Sequence, residues 1–437
     1  MNLLLNPNPP LQGEISVPGD KSLSHRTVIL SALAEGNSTI HGFLTGKDCL
    51  ATVEAMCHLG VKIDFLDPET LLVHGVGLHG LQAPKQSIDC GNSGTSMRLL
   101  AGILAAQPFT SVLKGDDSLQ QRPMERIVLP LQQMGARIVG REVSGRIFSP
   151  LEIHGNTSLS AIDYEMPIAS AQVKSCLLLA GLYAKGQTSL KEKGASRDHT
   201  ERLLQSFGVA LSIAQNHIIL TSPTTLKAQE IYIPGDISSA AFFIAGAAMV
   251  PGSHIILRQV GVNPRRIGII SILKLMGADI TIHGPRLICG EPIADIEIKG
   301  TKLRGIDVPS EMVVSAIDEF PIIFIAASCA SGTTHIRGIE ELRYKETDRI
   351  EVMAKGLKIL GVSLEVFPDG ILINGSSLNE GTVVSHGDHR VAMAFAMASL
   401  VAKGSIIIRD CDNIATSFPN FCELANQLGM SIHSIED

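Results

Sequence analysis

Charged side chains are concentrated between Lys345 and Arg349, where two bases and two acids occur within five positions. The strand-like run Thr333–Ile336 precedes them and apolar residues at helical spacing follow, so the charges are predicted to open a helix. On that helix Lys345 and Arg349 would share one face, and Glu346 would reach Arg349 three positions on. Charge runs of this kind are often solvated helix faces with weak ion pairs. Two cations flanking a carboxylate at a strand-to-helix junction also suit an anionic ligand with a proton donor or acceptor.

Cations recur at the starts of several predicted buried helices. These starts begin with small or capping residues, which is ordinary for helix N-termini. A cation in the first turn, however, is disfavoured by the helix dipole by a few tenths to about 1 kcal/mol. Its repeated presence therefore suggests bound anions beside the helix starts. The cations concerned are Lys21, Arg26, Arg98, Lys174 and Arg390.

The elements that must position these residues form an internal repeat. An apolar residue, a glycine and a strand-like run occur together six times, each time after an amphipathic helical pattern. Glycine there is predicted to end the helix in the left-handed region. Each unit of about 70 residues is roughly helix, strand, helix, strand, strand. The glycines are Gly60, Gly135, Gly208, Gly277, Gly361 and Gly429.

Some predicted helices are apolar on all sides and should therefore be buried inside a layer of sheets. They are Ala240–Met249, Ile322–Ala330 and Val391–Val401.

Six units divide naturally into two domains of three. We predict chain crossings near Val17–Lys21 and Tyr232–Gly235, which places one domain at 20–233 and the other at 1–19 plus 234–437. The final unit needs a completing strand, and Gly13–Val17 is predicted to supply it, so the N-terminal segment should pack with the C-terminal half. Helix starts from both domains are expected to face one cleft, whose closure would expel water and strengthen charge interactions.

The composition excludes several functional classes. The chain has 437 residues, 45% of them hydrophobic, a net charge of -7, 4% aromatic residues and no Trp, which argues against nucleic-acid or acidic-membrane partners. The eight cysteines show no CxxC pair or metal-ligand spacing and are predicted to be reduced, mostly buried thiols of a cytoplasmic protein. The N-terminus has no signal-peptide pattern, and the apolar runs are too short to span a bilayer.

Six motifs, in this order and along the whole chain, resemble those of the 5-enolpyruvylshikimate-3-phosphate (EPSP) synthase family. The resemblance implies an α/β fold of two domains, each with three βαβαββ repeats around buried helices. It implies transfer of the enolpyruvyl group of phosphoenolpyruvate to the 5-hydroxyl of shikimate 3-phosphate, with release of phosphate and without a metal or organic cofactor. The motifs are Pro18-Gly19-Asp20-Lys21-Ser22, Gly91-Asn92-Ser93-Gly94-Thr95-Ser96-Met97-Arg98, Gln121-Arg122-Pro123, Ser170-Ala171-Gln172, Arg343-Tyr344-Lys345-Glu346-Thr347-Asp348-Arg349 and Asp388-His389-Arg390.

The resemblance also implies substrate contacts, which suit two polyanions because charge-assisted hydrogen bonds are strong. The domain at 20–233 is expected to bind mainly shikimate 3-phosphate, and the other domain mainly phosphoenolpyruvate. The implied shikimate 3-phosphate residues are Lys21, Ser22, Arg26, Ser170, Ala171, Gln172, Ser196, Arg197, Asp318 and Lys345. The implied phosphoenolpyruvate residues are Lys21, Gly94, Thr95, Arg122, Gln172, Arg349 and Arg390.

Two carboxylates match the family's proton-transfer groups. Addition to an enol ether needs a proton at the methylene carbon and loss of one from the attacking hydroxyl. By resemblance, Glu346 acts at the methylene and Asp318 faces the 5-hydroxyl, while Lys21 assists. The neighbouring Glu319 leaves the choice of Asp318 open on sequence alone.

Some positions depart from the family pattern. No lysine precedes Phe418-Pro419, where Ala415-Thr416-Ser417 stands, so one phosphoenolpyruvate contact is missing or supplied differently. Ala171 replaces a serine, and together with Ser196-Arg197 this indicates the divergent bacterial branch. Gly94 leaves space that an alanine would fill, and we expect glyphosate, an anionic competitor of phosphoenolpyruvate in this family, to bind.

Two other functions compete with this hypothesis. The related transferase acting on UDP-N-acetylglucosamine uses Lys-Asn early in the chain and a loop cysteine, whereas here Ser22 follows Lys21 and Gly115–Arg122 contains no cysteine. A non-catalytic anion-binding scaffold would gain nothing from carboxylates at the acid/base positions. We therefore expect a cytoplasmic, monomeric enzyme whose partners are its two small-molecule substrates.

Overall fold

A computed structural model describes residues 1–222 and 224–435, which form two compact units. Unit 1 comprises Met1–Asp20, Pro234–Leu287 and the described chain from Pro292 onward. Unit 2 comprises Lys21–Ile233 and Ile288–Glu291. Each unit has its own hydrophobic core.

Two strands precede the repeats: β1 (Asn2–Leu5) and β2 (Gln12–Ile15). Three repeats follow in unit 2. The first contains α1 (Lys21–Leu33), β3 (Glu35–His41), α2 (Lys47–His58), β4 (Lys62–Asp67) and β5 (Thr70–Val76). The second contains β6 (Ile88–Asp89), α3 (Gly94–Leu104), β7 (Thr110–Lys114), α4 (Glu125–Gln133), β8 (Arg137–Val143) and β9 (Arg146–His154). The third contains β10 (Asp163–Met166), α5 (Ala171–Gly181), β11 (Gly186–Glu192), α6 (His199–Ser206), β12 (Leu211–Ala214) and β13 (His217–Ser222).

The chain then forms three further repeats, which belong mainly to unit 1. The fourth contains β14 (Glu230–Tyr232), α7 (Ile237–Ala248), β15 (His254–Gly261), α8 (Gly268–Leu275), β16 (Asp279–Ile288) and β17 (Glu291–Lys299). The fifth contains α9 (Ser310–Ala316), α10 (Phe320–Cys329), β18 (Thr333–Ile336), α11 (Arg349–Ile359), β19 (Ser363–Phe367) and β20 (Gly370–Asn374). The sixth contains β21 (Gly381–Val384), α12 (His389–Ala398), β22 (Ile406–Arg409), α13 (Phe421–Gln427) and β23 (Ile432–Ile435).

The strands of residues 1–222 and 224–435 form six small sheets; five have four strands in a shared order, and the sheet β18-β20-β19 has the same order without a leading strand. In the second repeat the order is β6-β7-β9-β8, with β6 parallel to β7 and the remaining pairs antiparallel. In two repeats, the strand that precedes the first helix in sequence pairs with a different repeat. Strand β2, which precedes α1 in sequence, pairs with β15 of unit 1, whereas β14, which precedes α7, pairs with β3 of unit 2.

The N-terminal segment pairs in unit 1, as predicted, but not with the predicted strand. Strand β1 lies between β22 and β23 and completes the sixth sheet. Gly13–Val17 was the wrong candidate, because its strand, β2, completes the fourth sheet instead. Both strands are only four residues long, and neither indicates its partner strands locally, so long-range pairing decides which sheet each one completes.

The predicted helix ends and buried helices are confirmed. All six repeat glycines have φ between +86° and +104°, the left-handed region that favours glycine. Every residue of α7 is buried, and in α12 every residue except Arg390 is buried. In α12, therefore, only Arg390 near the N-terminal end is partly accessible.

One helical stretch, Ser310–Cys329, is long and apolar enough to cross a membrane by length and composition alone. The sequence analysis predicts only apolar runs too short to span a bilayer. The helical stretch is longer because α9 and α10 join through a short 3-10 turn that contains Asp318 and Glu319. About 67% of its most apolar window is buried within the protein, as in core helices of globular proteins.

Candidate active site

The guanidinium group of Arg349 lies at the centre of the predicted residues of unit 1. Its side chain is 1% exposed. Its Nη2 atom lies 2.6 Å from Oε2 of Glu346, and its Nη1 atom lies 3.7 Å from Oδ1 of Asp318. The same Asp318 oxygen lies 3.0 Å from Nζ of Lys345. One arginine therefore contacts both predicted proton-transfer carboxylates.

The carboxylate of Asp388 binds the guanidinium group of Arg349. This carboxylate accepts hydrogen bonds from Nε and Nη2 of Arg349 at 2.8 and 3.2 Å and from the hydroxyl of Thr347 at 3.1 Å. It also caps α12 by accepting from the backbone N–H of Arg390 at 2.9 Å. Burial is the largest single influence on the pKa of Asp388 and raises it, but the charge of Arg349, the charge of His389 and the hydrogen bond from Arg349 together hold that pKa below its ordinary value.

The structure distinguishes Asp318 from Glu319. The Glu319 side chain is 1% exposed, and its carboxylate accepts a hydrogen bond from the Ser238 hydroxyl at 2.5 Å. The Asp318 side chain is 14% exposed and contacts the lysine and arginine named above. Arg390 donates to the backbone carbonyl of Asp318 at 2.9 Å and lies 3.5 Å from Glu319. Asp318 is thus the carboxylate placed among the predicted site residues, and Glu319 supports the turn beneath it.

The helix prediction at this motif needs correction. Residues Glu340–Tyr344 form a 3-10 turn, and Lys345 is extended. Helix α11 begins only at Arg349, with Asp348 as its N-cap accepting from the N–H of Glu351. An N-cap aspartate competes with helix continuation toward the N-terminus because its side chain takes the place of a backbone acceptor. The expected contact between Glu346 and Arg349 is still made, across a loop rather than along a helix face.

In unit 2, Arg26 holds the start of α1 against two other elements. Its Nη1 donates to the carbonyl oxygen of Ser22 at 2.9 Å. Its Nε and Nη2 donate to the hydroxyls of Thr200 and Ser175 at 2.7 and 2.8 Å. Arg26 is therefore largely engaged with the protein itself and orders the Ser22 backbone.

A chain of polar contacts joins α3 to α5. Gln172 accepts from Nη1 of Arg98 at 2.7 Å and donates through Nε2 to the Thr95 hydroxyl at 3.0 Å. Ser170 caps α5 by accepting from the N–H of Val173 at 3.4 Å, and Ala171 is the first helical residue. The predicted residues at the starts of these two helices thus lie side by side.

Arg122 is fixed beside the start of α3. Its Nη2 donates to Oδ1 of Asn92 at 2.7 Å and to the Ser118 hydroxyl at 3.1 Å. The Asn92 amide in turn donates to Asp116 at 2.8 Å. A β-carbon added at Gly94 would lie 3.6 Å from Nη1 of Arg122, so the glycine brings this guanidinium close to the backbone.

Lys174 does not mark an anion site, contrary to the sequence interpretation. Its side chain is 0% exposed, and Nζ lies 2.5 Å from Glu192 and 2.7 Å from Glu201. The Glu192 carboxylate also accepts from the N–H and the hydroxyl of Ser196 at 2.9 and 2.8 Å. The lysine thus neutralises internal carboxylates that order the loop carrying Ser196 and Arg197. Sequence cannot separate this case from Arg390, because both cations open an apolar helix.

Lys21 forms an ion pair with Asp48 near the start of α2. None of the cysteines in residues 1–222 and 224–435 forms a disulfide, as predicted, and burial raises the pKa of Cys90 and Cys329 to about 12. Such thiols are poor nucleophiles at neutral pH. Four of the eight cysteines are buried, three are partly exposed and Cys57 is exposed, so fewer are buried than the sequence analysis predicts.

The EPSP synthase family model, described as 3-phosphoshikimate 1-carboxyvinyltransferase, matches residues 5–424. A protein of that name from Coxiella burnetii is 54% identical over 430 residues, which cover 98% of this chain and 97% of the relative. One from Legionella pneumophila is 53% identical over 432 residues, covering 99% of each chain. The chain belongs to the EPSP synthase family.

Solved structures agree with this membership. The EPSP synthase of Acinetobacter baumannii superposes with a TM-score of 0.89 at 49% identity and full coverage of both chains. The enolpyruvyl transferase NikO from Streptomyces tendae gives a TM-score of 0.80 at 15% identity, covering 99% of this chain and 98% of its own, which shows a shared fold. The α/β enolpyruvyl transferase fold predicted from the sequence is confirmed.

For this member of the EPSP synthase family, sequence reasoning assigned no role to four supporting residues. Each is the hydrogen-bonding or ionic partner of a predicted site residue. Asp388 was detectable as an N-cap directly before a buried helix that begins with a cation. Asn92 belongs to a quoted family motif, but neither it nor Asp48 is close in sequence to its partner, and Glu192 lies in a strand-to-loop segment without a recognisable pattern. The four are Asp48, Asn92, Glu192 and Asp388.

Proposed function

We propose that this protein transfers the enolpyruvyl group of phosphoenolpyruvate to the 5-hydroxyl of shikimate 3-phosphate and releases phosphate. The observation that carries the proposal is the arrangement around Arg349, whose guanidinium contacts both Glu346 and Asp318. An anion-binding arginine that also holds two carboxylates suits a reaction in which an anionic substrate gains one proton and its co-substrate loses one.

For shikimate 3-phosphate, we assign the helix starts of unit 2. Ser170, Ala171 and Gln172 offer a hydroxyl, a helix N-terminus and an amide, all of which suit phosphate and ring hydroxyl groups. Ser22 and Arg26 suit the carboxylate. Further contacts are assigned to Ser196, Arg197, Lys21, Lys345 and Asp318.

For phosphoenolpyruvate, we assign cations of both units. In unit 2 the assigned residues are Lys21, Gly94, Thr95, Arg122 and Gln172. In unit 1 they are Arg349 and Arg390. Arginine suits this assignment because charge-assisted hydrogen bonds from a guanidinium group to a carboxylate or phosphate are strong.

The proposed reaction proceeds by addition and elimination. Asp318 accepts the proton of the 5-hydroxyl as its oxygen bonds to C2 of phosphoenolpyruvate, and the Lys345 ammonium 3.0 Å away stabilises the carboxylate that this step needs. Glu346 donates a proton to C3, giving a tetrahedral intermediate with a methyl group. In the second step C3 returns a proton to Glu346 and the C2–O bond to phosphate breaks. The departing phosphate takes the proton that Asp318 accepted, which restores both carboxyl groups, and Lys21 assists its departure by hydrogen bonding.

The first test is phosphate release by the purified protein given phosphoenolpyruvate with shikimate 3-phosphate, and in parallel with UDP-N-acetylglucosamine. Release only with shikimate 3-phosphate is expected. Release only with the nucleotide sugar would overturn the substrate assignment, and release with neither by a folded sample would overturn the proposed reaction.

The second test is Glu346→Gln. Turnover should fall by about 10²–10⁴-fold, the usual contribution of a positioned acid/base group. Arg349 keeps its contacts with Asp388, so the thermal midpoint should move by only a few degrees. The control is Glu351→Gln, since Glu351 pairs only loosely with the exposed Lys355 at 3.4 Å. A variant that retains a tenth or more of the turnover would remove Glu346 from the proposed role.

We also propose that the protein works in the cytoplasm as a monomer and is inhibited by glyphosate. Reduced cysteines support the reducing compartment. Light scattering during size-exclusion chromatography tests whether the protein is a monomer. A mass of about twice 46.5 kDa would contradict the monomer. Full activity in millimolar glyphosate would contradict the inhibition.

A further inference from the structure

Arg98 is the fifth residue of α3 and is half-buried. It is not among the substrate contacts proposed above. Its Nη1 donates to Oε1 of Gln172 at 2.7 Å, and its Nη2 donates to the carbonyl oxygen of Pro123 at 3.3 Å. Arg98 thus joins Gln172 to the residue that follows Arg122.

The contact with Arg98 determines which way the amide of Gln172 faces. A guanidinium has donors only, so the amide atom that faces it must be the oxygen. The amide nitrogen then points to the opposite side, where it donates one N–H to the Thr95 hydroxyl at 3.0 Å. One further N–H of Gln172 remains for a ligand.

This orientation matters because a flipped amide would present its oxygen to an anion. We infer that Arg98 is a positioning residue, which fixes the amide of Gln172 so that it offers an N–H to phosphoenolpyruvate. The inference rests on the proposed assignment of Gln172 to that substrate. The inference adds that Arg98 is the residue that makes Gln172 present an N–H donor to this substrate.

The glycine at position 94 supports this placement of Arg98. A β-carbon built there would lie 2.8 Å from Nη1 of Arg98, the same nitrogen that donates to Gln172. Real β-carbons do not approach other atoms this closely, so Arg98 could not keep its present position beside an alanine. Gly94 therefore leaves room for the contact that orients the amide.

The test is a double-mutant cycle that combines Arg98→Met with Gln172→Ala. The KM for phosphoenolpyruvate is measured at saturating shikimate 3-phosphate. Arg98→Met should raise this KM by about ten- to a hundredfold, as expected for the loss of a hydrogen bond to a charged group. In the Gln172→Ala background the same change should raise KM by less than about threefold, because the residue through which Arg98 acts is gone.

Conservative and control variants separate positioning from general damage. Arg98→Lys keeps a donor for the amide oxygen and should stay within a few-fold of wild type. Arg137→Met removes an exposed arginine on β8 of the same unit and should leave KM and kcat unchanged. Thermal midpoints of all variants report folding separately.

An equal rise in KM in both backgrounds would overturn the inference, because Arg98 would then act through its own charge or through packing. If Arg98→Met does not fold, Gln172→Glu provides the test. A carboxylate keeps the Arg98 contact but has no donor, so KM should rise beyond that of Gln172→Ala, and an equal or lower KM would overturn the inference. Absence of wild-type turnover would instead refute the proposed function, which keeps the two failures distinct.

Discussion

Asp388→Ala tests whether one buried carboxylate holds both arginines that unit 1 is proposed to offer to phosphoenolpyruvate. Removing one partner of a buried ion pair costs about 3–5 kcal/mol. Arg349 would keep Glu346 at 2.6 Å, so the lower end of that range, about 3 kcal/mol, applies. Loss of the α12 cap adds about 1 kcal/mol. The sum of about 4 kcal/mol should lower the thermal midpoint by roughly 8–16 °C for a unit of this size.

The assay is thermal unfolding of the full chain with activity measured in parallel. Asp388→Asn, which keeps one oxygen acceptor but no charge, should lie between wild type and Asp388→Ala. A drop of less than about 4 °C for the alanine variant, with KM for phosphoenolpyruvate unchanged, would refute the anchoring role. The thermal midpoints and the KM for phosphoenolpyruvate can be measured without a separate substrate-binding experiment on unit 2.

The pH dependence provides a second check on the same residue. The pKa of Asp388 is lower in the folded protein than its ordinary value, despite burial, because Arg349 lies beside it. Its contribution is therefore present above about pH 4 and is lost as the pH falls toward the lowered folded value. Wild type should lose its stability advantage over Asp388→Asn in acid, and a constant advantage across that range would contradict this linkage.

Two further substitutions test buried packing and charge. Lys174→Met leaves Glu192 and Glu201 buried without their cation and should destabilise the protein by about 3–5 kcal/mol in urea unfolding. A loss below about 1 kcal/mol would show that this buried ion pair does not stabilise the fold. Gly356→Ala should also destabilise, by about 1–3 kcal/mol, although alanine favours helices, because its β-carbon would lie 2.2 Å from the ring of Phe395. A higher thermal midpoint for this variant would mean that the ring moves aside at little cost.

Local patterns in the sequence were sufficient for the repeats and the buried helices, although not for the start of α11. The six glycines could be recognised because a helix end in the left-handed region favours glycine wherever it occurs. The buried helices could be recognised because they are apolar on all sides. Clustering of the family motifs then gave Lys345, Glu346 and Arg349 together, and the structure places these side chains around Asp318.

Long-range pairing and burial were decided only by the tertiary structure. Both β1 and β2 could have completed the sixth sheet, and the choice depends on hydrogen bonds to strands about 400 residues away. Lys174 and Arg390 both lie near the start of a buried helix, yet Lys174 is fully buried between two carboxylates of its own unit, whereas the Arg390 side chain is 13% exposed. The sequence determined which residue types stand at the helix starts, because capping and periodicity are local. The fold decided which charges remain for a ligand, because neutralisation depends on partners that only folding brings close.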